Sequence, residues 1–125
     1  MKNTQQLLEL YEKELLDKNV KAEQIRSVIE ELYIAPDFSI TVMAERFHVS
    51  VTHMSYLVKK ELNENFSDYL WKLRLARAKV LLKESEMSID EISNAVGYLN
   101  TSSFRRKFKM DMGVTPSQYR EDGGK

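Results

Sequence analysis

The side chains with most chemistry to offer in this chain are cations, and they are clustered. Residues 53–83 hold Lys59, Lys60, Lys72, Arg74, Arg77, Lys79 and Lys83 against three acids, net +4. Residues 101–110 hold Arg105, Arg106, Lys107 and Lys109 with no acid, also net +4. Residues 84–100 carry four acids and no base, and residues 1–40 carry five bases against eight acids. Grouped Lys and Arg suit phosphate oxygens, and an arginine fork suits the edge of a base. The total is 19 basic against 19 acidic residues, formal net charge +0, so the chain is dipolar. That balance excludes a uniformly basic, histone-like protein or a polybasic membrane-surface protein.

Other chemistries lack their residues. The chain has no cysteine, which excludes disulfides, thiolate metal sites and thiol catalysis. His48 and His53 are five apart and miss the i, i+4 facing of a two-histidine metal site on a helix, so no metal or cofactor is expected. The acids of 84–91 read as a solvated face with one capping role. No nucleophile, base and orienting group come together, so the chain is not read as an enzyme.

The elements that must position the cations are helical. With 125 residues, 42% hydrophobic, four Gly and two Pro, the chain is one small all-α domain with little material for turns or linkers. No apolar run spans a bilayer, and Met1 to Gln6 has no apolar stretch behind it, so a cytoplasmic location and no membrane contact are expected. Leu7, Leu8, Tyr11 and Leu15 form a first helical stripe, and Ile25, Val28, Ile29, Leu32 and Tyr33 a second, which Pro36 ends. Ser39 or Thr41 caps a short helix with Val42, Met43, Ala44 and Phe47. Ser50 caps the next, to about Leu62, with Met54, Leu57 and Val58 inward. Asn65 or Ser67 opens the longest helix, whose stripe reads Tyr69, Leu70, Leu73, Ala76, Val80 and Leu81. Ser88 and Glu91 form a capping box, and the helix they open ends at Gly97. Asn100 or Thr101 opens a helix with Phe104 and Phe108. Gly113 breaks it, and Thr115 with Pro116 starts the last. Trp71 and the six methionines are expected in the core or on half-buried faces. About seven helices result.

Two places share one pattern, a short helix, a tight turn and a second helix with a polar outer face. The first is about residues 39–62, turning at 46–50; the second is about 88–110, turning at 96–100. About four residues separate the helices in each, as a DNA-reading helix-turn-helix requires. The long helix of about 66–84, some 28 Å at 1.5 Å per residue, joins them. With the width of the subdomains added, that length matches the roughly 34 Å between successive major grooves on one face of B-DNA. A single chain is then expected to read two adjacent grooves.

The residues also resemble a known family over roughly 22–120, the two-motif DNA-binding domain of AraC/XylS transcriptional regulators. Phe66, Ser67, Asp68, Tyr69 and Leu70, followed by Arg74, Ala78, Leu81 and Leu82, are similar to its linker-helix signature. Ile89 to Ile92, Val96, Gly97 and Tyr98, Ser103 and Phe104, Phe108 and Lys109, Gly113, and Thr115 to Arg120 resemble its second-motif signature. The resemblance implies a transcription regulator bound to double-stranded promoter DNA and meeting RNA polymerase. Residues 1–20 are then an N-terminal helical extension or interdomain remnant, 21–120 the DNA-binding domain and 121–125 a tail. It leaves open a stand-alone regulator or the C-terminal piece of a longer one. No segment is left over to build a small-molecule site.

Position by position, the resemblance places Val51, Thr52, Ser55 and Tyr56 in the groove from the first motif, with Lys59 and Lys60 near phosphates. From the second it places Thr101, Ser102, Ser103, Arg105 and Arg106, with Lys109 near the backbone. Thr52 and Ser55 either read bases or only permit close approach, and Tyr56 either reaches the DNA or packs on the linker helix. Tyr56 stands where many relatives have arginine, so the first motif is expected to read weakly. Asn63 replaces a frequent glycine, Leu62 a threonine and Ser103 an aromatic. Some DNA-alkylation-repair proteins fuse this fold to a methyl-accepting cysteine, a residue type missing here. The competing reading is a helical protein-interaction module of a larger regulator.

Overall fold

The computed structural model describes residues 3–10 and 20–123. Residues 4–10 are helical. Beyond them run α1 (Ala22–Leu32), α2 (Ile40–Arg46), α3 (Val51–Leu62), α4 (Phe66–Glu84), α5 (Ile89–Ala95), α6 (Thr101–Met112) and α7 (Pro116–Glu121). Among the described residues there is no strand. The chain divides into two units, one of the residues up to Glu31 with 39–66, the other of 32–38 with 67 onward.

Local chemistry places most helix ends. Ser39 accepts from the Val42 amide, Ser50 from His53, Ser88 from Glu91, Asn100 from Ser103 and Thr115 from Gln118. Asn63 and Gly113 end α3 and α6 in the left-handed conformation that asparagine and glycine tolerate. Helix α4 begins at Phe66, so Ser67 lies inside it rather than capping it. Helix α1 stops at Leu32, four residues before Pro36, and the Ala35 amide turns back onto the Leu32 carbonyl. Helix α7 extends through Glu121, so the tail begins one residue later than the sequence suggests.

In the first unit α2 packs on α3, and Ile25, Ile29, Met43, Met54, Leu57 and Val58 are fully buried. Helices of seven residues are marginal in isolation, so burial of Met43 and Ala44 holds α2. The second unit is built on Trp71, Ala78 and Leu82 of α4, Ile92 and Val96, Phe104 and Phe108, and Tyr119. Its aromatic rings form a continuous chain of contacts from Tyr98 and Trp71 through Phe104 and Phe108 to Tyr119. Each fully buried large side chain stabilises by about 1.5–3 kcal/mol.

Two readings of the apolar residues need correction. The buried face of α4 is Leu70, Trp71, Arg74, Ala78 and Leu82, whereas Ala76 and Val80 are exposed. Apolar periodicity passed over Arg74 because it is charged, and so chose a neighbouring face. Of the first stripe, Leu7 and Leu8 are exposed, and Tyr11 and Leu15 lie outside the described residues. Met110 is 82% exposed, unlike the buried Met43 and Met54, because it sits on the solvent side of α6 opposite Phe104 and Phe108.

Candidate nucleic-acid interface

The turn between α2 and α3 occupies residues 47–50, and the turn between α5 and α6 is one residue longer, 96–100. Both are built alike. The Val49 amide donates to the Ala44 carbonyl at 3.0 Å, and the Tyr98 amide donates to the Ser93 carbonyl at 2.9 Å. Each turn has one residue with positive φ, His48 at 58° and Gly97 at 100°. In the second turn the buried Ser93 hydroxyl also donates to the Tyr98 carbonyl at 2.9 Å, closing the loop from both sides.

Gly97 is required for a second reason. A Cβ there would lie 2.8 Å from the Arg74 guanidinium. Arg74 is 6% exposed; its Nε donates to the Tyr33 carbonyl at 2.6 Å and its Nη2 to the Ala35 carbonyl at 3.0 Å. The guanidinium lies 5.2 Å from the Tyr98 ring centroid. Burial pushes its pKa below the ordinary arginine value, and Tyr98 offsets part of that; arginine nevertheless keeps its proton. Arg74 therefore leaves the group of cations counted toward phosphate: it is a core residue that ties segment 32–38 to the second turn.

Two further cations brace the second unit. Arg120 donates to the carbonyls of Leu81, Leu82 and Ser85 at the end of α4, where the last carbonyls and the helix dipole favour a cation. Lys107 stands 5.3 Å over the Trp71 ring, while the Trp71 indole donates to Asp111 at 2.9 Å. These roles, and that of Ser93, were not read from the sequence. The available signal was a polar residue falling in register with apolar ones, Arg74 between Trp71 and Ala78, and Ser93 between Ile92 and Val96.

What remains on the outside is the candidate interface. Met54, Leu57 and Val58 turn inward, so helical geometry puts Val51, Thr52, Ser55, Tyr56, Lys59 and Lys60 on the outer side of α3, and all six are exposed. Tyr56 is 54% exposed and is flanked along the helix by His53, whose ring stacks at 6.0 Å, and by Lys60, 5.8 Å from its centroid. It does not pack into the core. On α6, Phe104 and Phe108 turn inward and leave Ser102, Arg105, Arg106 and Lys109 exposed; Thr101 and Ser103 are half-buried. Arg105 approaches Asp90 at 3.6 Å, and Arg106 has no ion-pair partner among the described residues. No group of three or more His, Cys, Asp or Glu gathers among the described residues to hold a metal. No helix among them is long and apolar enough to cross a membrane.

A family profile described as a helix-turn-helix domain matches residues 43–122, which takes in both turns and everything between them. The fold is similar to that of a Chromobacterium violaceum transcriptional regulator described as having an AraC-type DNA-binding domain. That match has TM-score 0.67 and 26% identity and covers 81% of this chain and 89% of that one. The chain belongs to the AraC/XylS family. A second structural neighbour is the C-terminal domain of the two-component response regulator yesN from Fusobacterium nucleatum, at TM-score 0.77 and 37% identity, covering 78% of this chain and 95% of that one. Among curated relatives, the transcriptional activator CfaD of Escherichia coli is 34% identical over 98 residues, 78% of this chain and 36% of CfaD. The chain thus spans about a tenth to just over a third of the length of the curated relatives it matches. Arg74, Gly97 and Arg120, which belong to the AraC/XylS signatures seen in the sequence, all serve the frame of the second unit.

Proposed function

We propose that this chain is the double-stranded-DNA-binding part of a sequence-specific transcription regulator. Helix α3 of one unit and helix α6 of the other each enter a major groove. The observation that carries the reading is the outer face of α6: Arg105, Arg106 and Lys109 stand exposed on one side, and residues 101–110 contain no acid. Val51, Thr52, Ser55, Tyr56, Thr101, Ser102, Ser103, Arg105 and Arg106 face base edges; Lys59, Lys60 and Lys109 meet phosphates, which fix register without reading sequence. Bound beside a promoter, the regulator recruits or blocks RNA polymerase.

Selection of bound duplexes from a random pool tests this. The expected product is a site of two blocks about one helical turn, roughly 10 base pairs, apart, with affinity that falls steeply with salt. Failure to enrich any sequence, with two tethered copies as well as one, would overturn the reading and favour a protein-binding module.

A further inference from the structure

The two recognition helices hold out different chemistry. The first two turns of the outer face of α3 consist of Val51, Thr52, Ser55 and Tyr56, without a charge, and two of these are exposed hydrophobics, Val51 at 42% and Tyr56 at 54%. The outer face of α6 is Ser102, Arg105, Arg106 and Lys109. We infer that the helices divide the base chemistry: α3 reads thymine through its 5-methyl group, and α6 reads guanine through Arg106. The inference rests on the DNA-binding reading above and specifies its targets.

Guanine shows the major groove two acceptors, O6 and N7, which a guanidinium satisfies with two parallel donors. Nothing on the outer face of α3 ahead of Lys59 offers that fork. Its hydroxyls on Thr52, Ser55 and Tyr56 donate or accept equally, so they discriminate little between bases. Its apolar surface does discriminate, because among the four bases thymine alone presents a methyl group in the groove. Tyr56 is prepared for such a contact. Its ring already stacks on His53 and lies beside Lys60, so it loses less rotamer freedom on binding than an unsupported side chain would. On α6 the two arginines are not equivalent. Arg105 is shared with Asp90 at 3.6 Å, whereas Arg106 has no such partner among the described residues and has both edges of its fork to offer.

Single-atom changes in the DNA test this on the selected site. Each thymine is replaced in turn by uracil, which removes only the methyl, and each guanine by 7-deazaguanine, which removes the N7 acceptor. Affinities are measured for the wild type, Tyr56→Phe, Tyr56→Ala, Arg106→Lys and Arg106→Ala. At one or two positions in one block, uracil should weaken the wild type and Tyr56→Phe about fourfold per methyl, from about 0.8 kcal/mol per buried CH₂, but should leave Tyr56→Ala unchanged. In the other block, deazaguanine should weaken the wild type about fivefold or more; Arg106→Ala should be indifferent to it, while Arg106→Lys should keep a smaller penalty, since an ammonium can still donate to N7 but cannot reproduce the fork. Uracil penalties that are equal in wild type and Tyr56→Ala would overturn the thymine assignment. A deazaguanine penalty that survives Arg106→Ala would overturn the guanine assignment. Failure of every variant and the wild type to bind any enriched duplex would instead overturn the DNA-binding reading itself.

Discussion

Arg74 shows how one side chain can be decisive without touching a ligand. A buried cation is costly unless its donors are satisfied, and here the carbonyls of Tyr33 and Ala35 accept while the Tyr98 ring lies alongside. Arg74→Met would fill similar space but leave both carbonyls without this donor. A loss of about 1–3 kcal/mol is expected, read as a lower urea midpoint. The same residue explains why position 97 takes glycine where position 48 takes histidine, although both have positive φ. A Cβ at 97 would meet the guanidinium as well as strain the backbone. Gly97→Ala should therefore cost less in the Arg74→Met background than in the wild type. Additive losses, within about 0.3–0.5 kcal/mol, would show that the backbone conformation alone demands glycine.

At the scale of elements, α2, α3, α5, α6 and α7 each start at a side chain that accepts from the backbone amide three residues on. The boxes of α5 and α7 are chemically distinct in one respect: Glu91 returns a carboxylate to the Ser88 amide, and Gln118 returns a neutral amide oxygen to Thr115. Those bonds from Ser88 hold the Glu91 carboxyl below its ordinary value of 4.5. A depressed folded-state pKa means that the bond stabilises α5 fully above that ordinary value. The contribution is lost as pH falls through the folded value. Glu91→Gln should keep the bond but lose its charge assistance and its pH dependence, because glutamine does not titrate. Urea midpoints should favour the wild type at pH 7, and the gap should narrow progressively as pH is taken down from 7 to below the ordinary carboxyl value. A gap that stays constant across that range would deny Glu91 its role in the cap.

For the molecule as a whole, a formal charge of +0 conceals segregation: the segment 84–100 has net charge −4 and the adjoining 101–110 has +4. Salt dependence of DNA binding follows the number of phosphates met rather than net charge. A steep slope is therefore expected from an electrically neutral chain, and Lys109→Ala should weaken all sequences about equally and lower the slope by about one. An effect confined to one sequence would make Lys109 a base reader instead. The cations do not all share one task, however. Arg74, Lys107 and Arg120 serve the frame of the second unit, and Arg105 is partly held by Asp90. Counting charges along the chain overstates the number available to DNA.

Most helix ends and both turns were legible in the residues because their causes are local. A Ser, Thr or Asn bonds to an amide three residues on, and Asn63, Gly97 and Gly113 meet a backbone conformation that depends on their own side chains. The inner faces of α3 and α6 were legible as well, since Met54, Leu57, Val58, Phe104 and Phe108 are strongly apolar at helical spacing. The inner face of α4 was not, because an arginine lies on it, and only carbonyls 39 to 41 residues away make that position tolerable. The exposure of Leu7, Leu8 and Met110 was equally beyond local reasoning. An apolar residue declares that burial would be favourable, but whether anything arrives to bury it is settled by the packing of distant elements.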